Sequence, residues 1–581
     1  MYGWTGKVLH IDLSEKKFYI EEPKREIYEK YIGGKGLAGF YLKPYIKKSF
    51  DSAEMPLLFF TGPLAGTASP TSGRMTIMSR SPLTGTVGDT SVGGKLGSQI
   101  KGAGFDGIVI KGKAERFLGV CVKDLEVEFF EEDSLRGKTV PEVFKLKGRE
   151  GSLAVIGPAA ENGVMFSNII IDEHYASGRN GLGLSMAAKN LKYLKVMGSG
   201  KTDIYDEDEL LKAREEIFRL AAASPVLKGE LGIANFGTGA LYDLMHSRRM
   251  MPTDNFKKTY FEKAPLMNAW QYKKRYQTKK TGCFGCHILC KKKGKNAEIM
   301  PEFETMSHFS ALIGNEDIET VVLANQICND LGMDTISAGA TVSCYQEINQ
   351  KKLSSMQFLE LLKDMAYSKN EGEILKLGSY RYAEEKGHTE AAMTVKKQEF
   401  PAYDPRGAYG MALAYVTSTR GACHLRAYPI AHEILRKPVV TDRFTFSGKA
   451  RIIKISEDLN SIIDSLTACK FLFFAATLEE YAKAFYGVTG LKTTAQDLLK
   501  VGERIYYNER IMNSLNGFSA KDDDLPERFF KEAGSSGEGI CIAPLKRIDF
   551  LKARQDYYKI RGLTEDGMPT LEKCEELELD Y

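Results

Sequence analysis

Residues 281–290, Thr281-Gly282-Cys283-Phe284-Gly285-Cys286-His287-Ile288-Leu289-Cys290, put three thiols within eight residues of a chain that otherwise scatters its cysteines thinly. Three thiols on one tight loop add little to packing but suit a soft metal centre. The spacing C-x2-C-x3-C supplies three corners of an iron–sulfur cluster and asks for a fourth ligand from elsewhere in the fold. Other readings compete. Cys283-Phe284-Gly285-Cys286-His287 matches the C-x-x-C-H pattern of haem attachment. That chemistry goes with export, whereas the chain opens Met1-Tyr2-Gly3-Trp4 with no basic-then-apolar leader, and the third cysteine would have no role. Structural zinc needs a fourth ligand and usually comes as paired knuckles. A radical S-adenosylmethionine cluster runs in the reverse order, C-x3-C-x2-C. Buried free thiols are the bland alternative. A [4Fe–4S] cluster is the favoured reading.

At 581 residues the chain has room for roughly two to four domains with ample core. With 80 basic residues against 76 acidic, the net charge of +4 is no footprint for nucleic acid. No apolar run approaches the roughly eighteen residues of a membrane span, so no membrane partner is expected. Ten cysteines are too few for a disulfide scaffold, and a reducing, cytoplasmic compartment is expected.

The first ~200 residues read as short strands bounded by turn residues: Lys7–Leu13, Leu57–Phe60, Met75–Met78, Gly107–Ile110 and Leu153–Ile156. Between Thr61 and Gly112 lie 12 of the 55 glycines. They fit either a ligand approached by bare backbone or a sheet with many tight turns. After about Lys201 helical periodicity takes over. Helices are predicted from Asp206 through Leu220, and over Ile318–Ala324, Met356–Ala366, Leu478–Tyr486 and Thr494–Met512. Phe471-Leu472-Phe473-Phe474-Ala475-Ala476 reads as buried helix. The fold class is therefore α+β: a β-rich domain over 1–205, then two mostly helical domains over 206–395 and 396–581. Asn329-Asp330-Leu331-Gly332-Met333-Asp334 and Asp464-Ser465-Leu466-Thr467-Ala468-Cys469 form a weak internal echo, as if two loops face one site.

Several further segments carry a family likeness: Met1-Tyr2-Gly3-Trp4-Thr5-Gly6, Gly33-Gly34-Lys35-Gly36-Leu37, Thr61-Gly62-Pro63-Leu64, Gly73-Arg74, Ala176-Ser177-Gly178-Arg179, Pro301-Glu302-Phe303-Glu304, Pro401 to Gly407, and Arg420-Gly421-Ala422-Cys423-His424. With the cysteines and the two echoed loops, the chain resembles the tungsten- or molybdenum-containing aldehyde ferredoxin oxidoreductase family from end to end. The resemblance implies one tungsten on two pterin dithiolenes (tungstopterin), held without a protein ligand between the β domain and the helical domains. It implies one [4Fe–4S] cluster on Cys283, Cys286, Cys290 and Cys469, which answers the missing-ligand question. It implies pterin contacts at Arg74, Gly93, Gly178, Arg179, Asn329, Met333, Asp334, Arg420, Gly421, Asp464 and Ala468, and a Mg2+ between the pterin phosphates near Ala176 and Ser91. Cys121, Cys328, Cys344, Cys541 and Cys574 are left as packing residues.

For chemistry the resemblance points to Glu304 as base on water and His424 as hydrogen-bond partner of the aldehyde carbonyl. The implied reaction oxidises an aldehyde to a carboxylic acid, with electrons leaving to ferredoxin or a polyferredoxin-like small subunit. There are departures. Leu323 and Gln326 stand where homodimeric members carry Glu-x-x-His for an intersubunit iron, so an oligomer without that mono-iron site is expected. Asn329 replaces an acid, Ser91 an Asn, Tyr175 an Arg, and Thr467-Ala468 a Gly-Leu. The alternatives are an aromatic acyl-CoA reductase subunit of the same family, a cluster-only electron-transfer protein, and a structural zinc protein.

Overall fold

The computed structural model describes residues 1–148 and 150–581. Its first part is built on two six-stranded mixed sheets. Strands β1 (Val8–Asp12), β2 (Lys17–Glu21), β3 (Leu57–Phe60), β4 (Met75–Arg80), β5 (Val87–Val92) and β6 (Gly107–Lys111) lie in the order β2-β1-β6-β3-β4-β5. Strands β7 (Leu118–Lys123), β8 (Glu126–Glu131), β9 (Ser152–Ile156), β10 (Ile169–Ile171), β11 (Tyr175–Ala176) and β12 (Leu191–Met197) lie in the order β11-β10-β9-β12-β7-β8. Among the described residues, only the β1–β6 and β12–β7 pairs are parallel. The central strands β3 and β9 are buried on both faces, and the edge strands β2 and β8 are largely exposed. The apolar runs Leu57–Phe60 and Leu153–Ile156 are those of strands covered on two sides. A core of Leu57, Phe59, Ile108, Ile156 and Leu194 joins the sheets.

The rest is helical. The elements that matter here are α1 (Gly34–Leu42, still within the β part), α2 (Glu207–Ala223), α3 (Ala269–Tyr276), α4 (Phe303–His308), α5 (Ile318–Leu331), α6 (Thr335–Ile348), α7 (Tyr409–Thr417), α8 (Lys449–Leu466), α9 (Leu478–Thr489), α10 (Ala495–Leu515) and α11 (Arg547–Arg561). Their starts follow capping chemistry. The Asp206 carboxylate accepts from the Glu209 amide at 3.0 Å, and Thr494 with Asp497 forms a capping box. Helix α8 packs against α7, α10 and α11. Phe471–Ala476 departs from expectation: Lys470–Phe474 is a 3-10 turn in which only Leu472 is buried. An apolar run reads alike whether it faces a core or a cavity, and here the phenyl rings face a cavity.

The β part and the helices meet backbone to backbone. A Cβ at Gly34 would stand 2.3 Å from the Asp464 carbonyl oxygen, and one at Gly62 would stand 2.6 Å from that of Leu466. Only glycine permits that approach, which fixes the C-terminal end of α8. Charge is buried there too. Lys35 of α1 lies 2.8 Å from Glu509 of α10 and 3.5 Å from Asp89 of β5, and Asp89 is 2.9 Å from Arg426. Each charge is compensated, as burial demands.

Candidate active site

The cysteine segment is the tip of a hairpin. Strands β13 (Lys279–Thr281) and β14 (Lys291–Lys293) pair antiparallel and bring Cys283, Cys286 and Cys290 back to one side. The β part grips this tip. The Tyr175 hydroxyl donates to the Gly282 carbonyl at 2.6 Å. A Cβ at Gly73 would lie 2.6 Å from the Phe284 carbonyl oxygen, and one at Gly93 would lie 2.3 Å from Cys283 Sγ. Two of the clustered glycines therefore serve a close approach of protein to protein. Cys469 arrives from the other side, just past α8, where Thr467 ends the helix at φ 58. The Thr467 hydroxyl oxygen accepts from the Gly62 amide at 3.2 Å.

All four thiols face one cavity of about 930 Å³. Burial pushes Cys286 and Cys290 up, and Cys469 up to about 11. Arg74 sits among them. Burial alone would lower its pKa, yet Cys469, Cys283 and the Asp464 carboxylate shift it upward. Among the described residues no three His, Cys, Asp or Glu side chains converge as a single ion requires. Four thiols around a shared space, with a fixed guanidinium and the backbone N–H groups of Ile288 and Leu289 on the Cys286 sulfur, are instead a donor set that fits a cluster.

The same cavity is lined by Arg74, Ser91, Gly93, Ala176, Gly178, Arg179, Asn329, Met333, Asp334, Glu304, Arg420 and His424. Three expected residues stand back from it. Gly421 is packed against Gln398 and the Val395 carbonyl, where a Cβ would meet atoms at 2.7 Å. Ala468 is buried. Asp464 lies in the last turn of α8, with its carboxylate 2.8 Å from Lys470 and 3.8 Å from Arg426. Its echo partner, Asp334, caps α6 by accepting from the Ile336 and Ser337 amides at 3.3 and 3.1 Å. Ser91 Oγ accepts from Arg74 Nε at 2.9 Å. Both echoed loops do follow helix ends in the left-handed conformation, at Gly332 and Thr467.

Polar atoms left without a hydrogen bond mark what the cavity would take. Arg179 Nε, Glu304 Oε1 and His424 Nδ1 are buried and make no hydrogen bond, and neither does Asp464 Oδ1 just behind. Such atoms call for a ligand with its own N–H and carbonyl edges. At Gly178, φ is 78° and nothing lies within 4 Å of a Cβ, so the backbone there is open to a ligand. These features fit a pterin.

Glu304 and His424 meet: Glu304 Oε1 is 3.5 Å from His424 Nε2, and Glu304 Oε2 accepts from the Ala402 amide at 2.8 Å. Burial drives the Glu304 pKa up to about 8 and holds the His424 imidazole well below its ordinary range, the latter with help from Arg179 and Arg420. Tyr403 and Tyr428 complete this wall, with hydroxyls 3.2 Å apart. Tyr428 adopts φ 50, a conformation unusual for an aromatic residue.

Sequence reasoning passed over these tyrosines, and over Cys423. The Cys423 sulfur accepts from Arg420 Nε and Nη2 at 3.1 and 3.0 Å and from the Leu425 amide at 3.3 Å. Burial would raise its pKa, but Arg420, Arg426 and Arg179 outweigh burial and bring it to about 6. The Arg420-to-Arg426 spacing around Cys423 was the available signal. One packing assignment is corrected: Cys541 is exposed, while Cys121, Cys328, Cys344 and Cys574 are buried. On α5, Leu323 is exposed and Gln326 Nε2 donates to Asp330 Oδ1 at 2.7 Å.

The family models described as the N-terminal domain and domains 2 and 3 of aldehyde ferredoxin oxidoreductase match residues 8–198 and 212–579. The tungsten-containing aldehyde ferredoxin oxidoreductase of Thermococcus kodakarensis is 36% identical, covering 99% of each chain. The aliphatic sulfonate oxidoreductase, WOR-like subunit, of Pyrococcus furiosus is 26% identical over 99% of this chain and 97% of its own. Among solved structures, the active site complex BamBC of benzoyl coenzyme A reductase with 1,5 dienoyl-CoA shares the fold at a TM-score of 0.85 and 20% identity, covering 100% of this chain and 97% of that one.

Proposed function

Because the chain belongs to the aldehyde ferredoxin oxidoreductase family, a family of tungsten-containing oxidoreductases, we propose that it oxidises aldehydes to carboxylic acids and passes the electrons to a ferredoxin or an iron–sulfur partner subunit. The observation that carries this reading is the Glu304–His424 contact opening on the cavity that the four thiols also face. The thiols of Cys283, Cys286, Cys290 and Cys469 would hold the cluster. The loops at Gly93 and Ala176–Arg179, with Asp334 and Arg420, would hold the pterins, and Ala176 and Ser91 would flank a Mg2+. When bound, the tungsten–pterin group supplies two-electron redox chemistry and the cluster a one-electron exit.

The protein's own part is proton handling and orientation. Neutral His424 can donate one hydrogen bond to an aldehyde oxygen while its other nitrogen accepts. Glu304, next to it, takes a proton from water once its carboxyl is ionised. Its raised pKa makes it a stronger base than an exposed carboxylate, and one that works above about pH 8. The apolar arm formed by Leu459, Phe471, Phe473, Phe474 and Leu499 suits a hydrophobic aldehyde body and sheds water.

Anaerobically purified protein is tested for metals, then for aldehyde-dependent viologen reduction in 18O-water. About one tungsten and four irons per chain, with labelled carboxylate formed, is the expected result. Iron without tungsten, or acyl-CoA reduction with no aldehyde oxidation, would overturn the reading.

A further inference from the structure

The near-neutral total charge hides a polarised segment. From Lys263 to Ala297 there are ten basic residues and no acidic one. The fold concentrates them around the cysteine tip. Lys273 and Lys274 are on the last turn of α3, and Lys279 and Lys280 lie along β13. In the hairpin, Lys279 faces Lys293 and Lys280 faces Lys292. Like charges set directly across a ladder are unfavourable, and the fold does little to relieve them. Arg275 is paired with Glu319 and Lys291 with Glu302, and Lys292 donates to carbonyls of the loop. Among the described residues, no ion pair is made by Lys273, Lys274, Lys279, Lys280, Lys293 or Lys295. At the tip, between two of the cysteines, Phe284 is 55% exposed. Gly285 and His287 beside it are exposed as well, and Lys228 reaches in to donate to the His287 carbonyl at 2.7 Å.

We propose that the β13–β14 hairpin and its cysteine tip form the docking face for an acidic one-electron carrier protein, with Phe284 at the centre of the contact and the lysines as its rim. This rests on the reading of Cys283, Cys286 and Cys290 as cluster ligands, and it deepens that reading by naming the surface through which electrons leave. Charge complementarity selects the occupant. Unpaired lysines steer an acidic partner and repel a basic one, and a partner seated on Phe284 lies one residue from Cys283 and two from Cys286. A single exposed aromatic with a charged rim fits a carrier that docks and leaves better than a permanent, apolar interface.

The test compares the loaded native enzyme with a K273E/K274E/K279E/K280E variant, using an acidic ferredoxin as acceptor and normalising every rate to viologen reduction by the same preparation. For the native enzyme, KM for the ferredoxin should rise steeply with salt. In the variant it should rise at least about tenfold at low salt and lose that salt dependence. A native KM indifferent to salt, with a variant matching it, would overturn the proposal. So would equally tight, salt-sensitive binding of a single-stranded RNA oligomer in place of the ferredoxin. If aldehydes support no turnover at all, the functional reading fails. Calorimetric titration of the iron-loaded protein with ferredoxin then still decides the surface: salt-sensitive binding lost in the variant supports it, and absence of binding overturns it.

Discussion

A methyl group at Gly93 would stand 2.3 Å from Cys283 Sγ and 3.3 Å from the Tyr175 ring. Ordinary contacts begin at about 3.5 Å, so in Gly93→Ala the sulfur must retreat by roughly 1.2 Å or swing to another rotamer. Metal–ligand distances tolerate only about 0.2 Å, which leaves the Cys283 corner of the cluster unligated. Gly93 is not held at positive φ, so alanine meets no backbone penalty and the effect is purely steric. Anaerobic iron analysis and the visible absorbance of the cluster are the assay. Iron should fall from about four per chain to three or fewer. Gly178→Ala is the control: its φ of 78° makes alanine cost about 1–2 kcal/mol, but nothing lies within 4 Å, and all the iron should remain. A Gly93→Ala protein with four irons and the native spectrum would refute both the contact and the assignment of Cys283 as a ligand.

Glu304→Gln should cut aldehyde turnover by about 10²–10⁴-fold, and the native rate should climb as pH rises through about 8, where Glu304 ionises. The sign for stability is opposite. The folded carboxyl keeps its proton up to about 8 while the unfolded one loses it near 4.5, so the metal-free native protein loses stability between those pH values, by up to about 5 kcal/mol. Glu304→Gln should abolish that loss in urea titrations at pH 6 and 9. Arg561→Met strands Glu457, which it contacts at 2.6 Å, and Asp458, and should cost about 3–5 kcal/mol by denaturant midpoint. Cys469→Ser should lose iron and turnover, whereas Cys541→Ser, at an exposed thiol, should change stability by no more than about 0.5 kcal/mol.

The strands and the long helices were legible because period and caps are local. Leu57–Phe60 and the Thr494 capping box needed no distant partner to be read. The cysteine triplet likewise stood out by spacing alone, and the fold turns its thiols and that of Cys469 toward one cavity. What sequence hid were pairings across hundreds of residues. Lys35 sits in a glycine motif that looks like a loop signal, yet it is a buried cation whose partners are Asp89 and Glu509. Asp464 reads as a loop acid but lies in a helix end, spent on Lys470 and Arg426. Phe471, Phe473 and Phe474 read as core because hydrophobicity cannot tell a core from a cavity wall. Cys541 read as packing because a lone cysteine carries no signal of its exposure.

The separation of the four thiols along the chain has a consequence for how the protein is made. Cys469 follows Cys290 by roughly 180 residues. On the proposed ligation, the inorganic core is a cross-link that closes this loop, and it would withdraw about 5 kcal/mol of disorder from the unfolded chain by the loop-entropy relation for covalent staples. The hairpin can present three thiols as soon as it is synthesised. The fourth arrives only when α8 has docked its C-terminal end onto the bare backbone at Gly34 and Gly62. Completing the cluster is therefore a late event that reports correct joining of the two halves, and a chain interrupted before Cys469 would carry an open, three-cornered site.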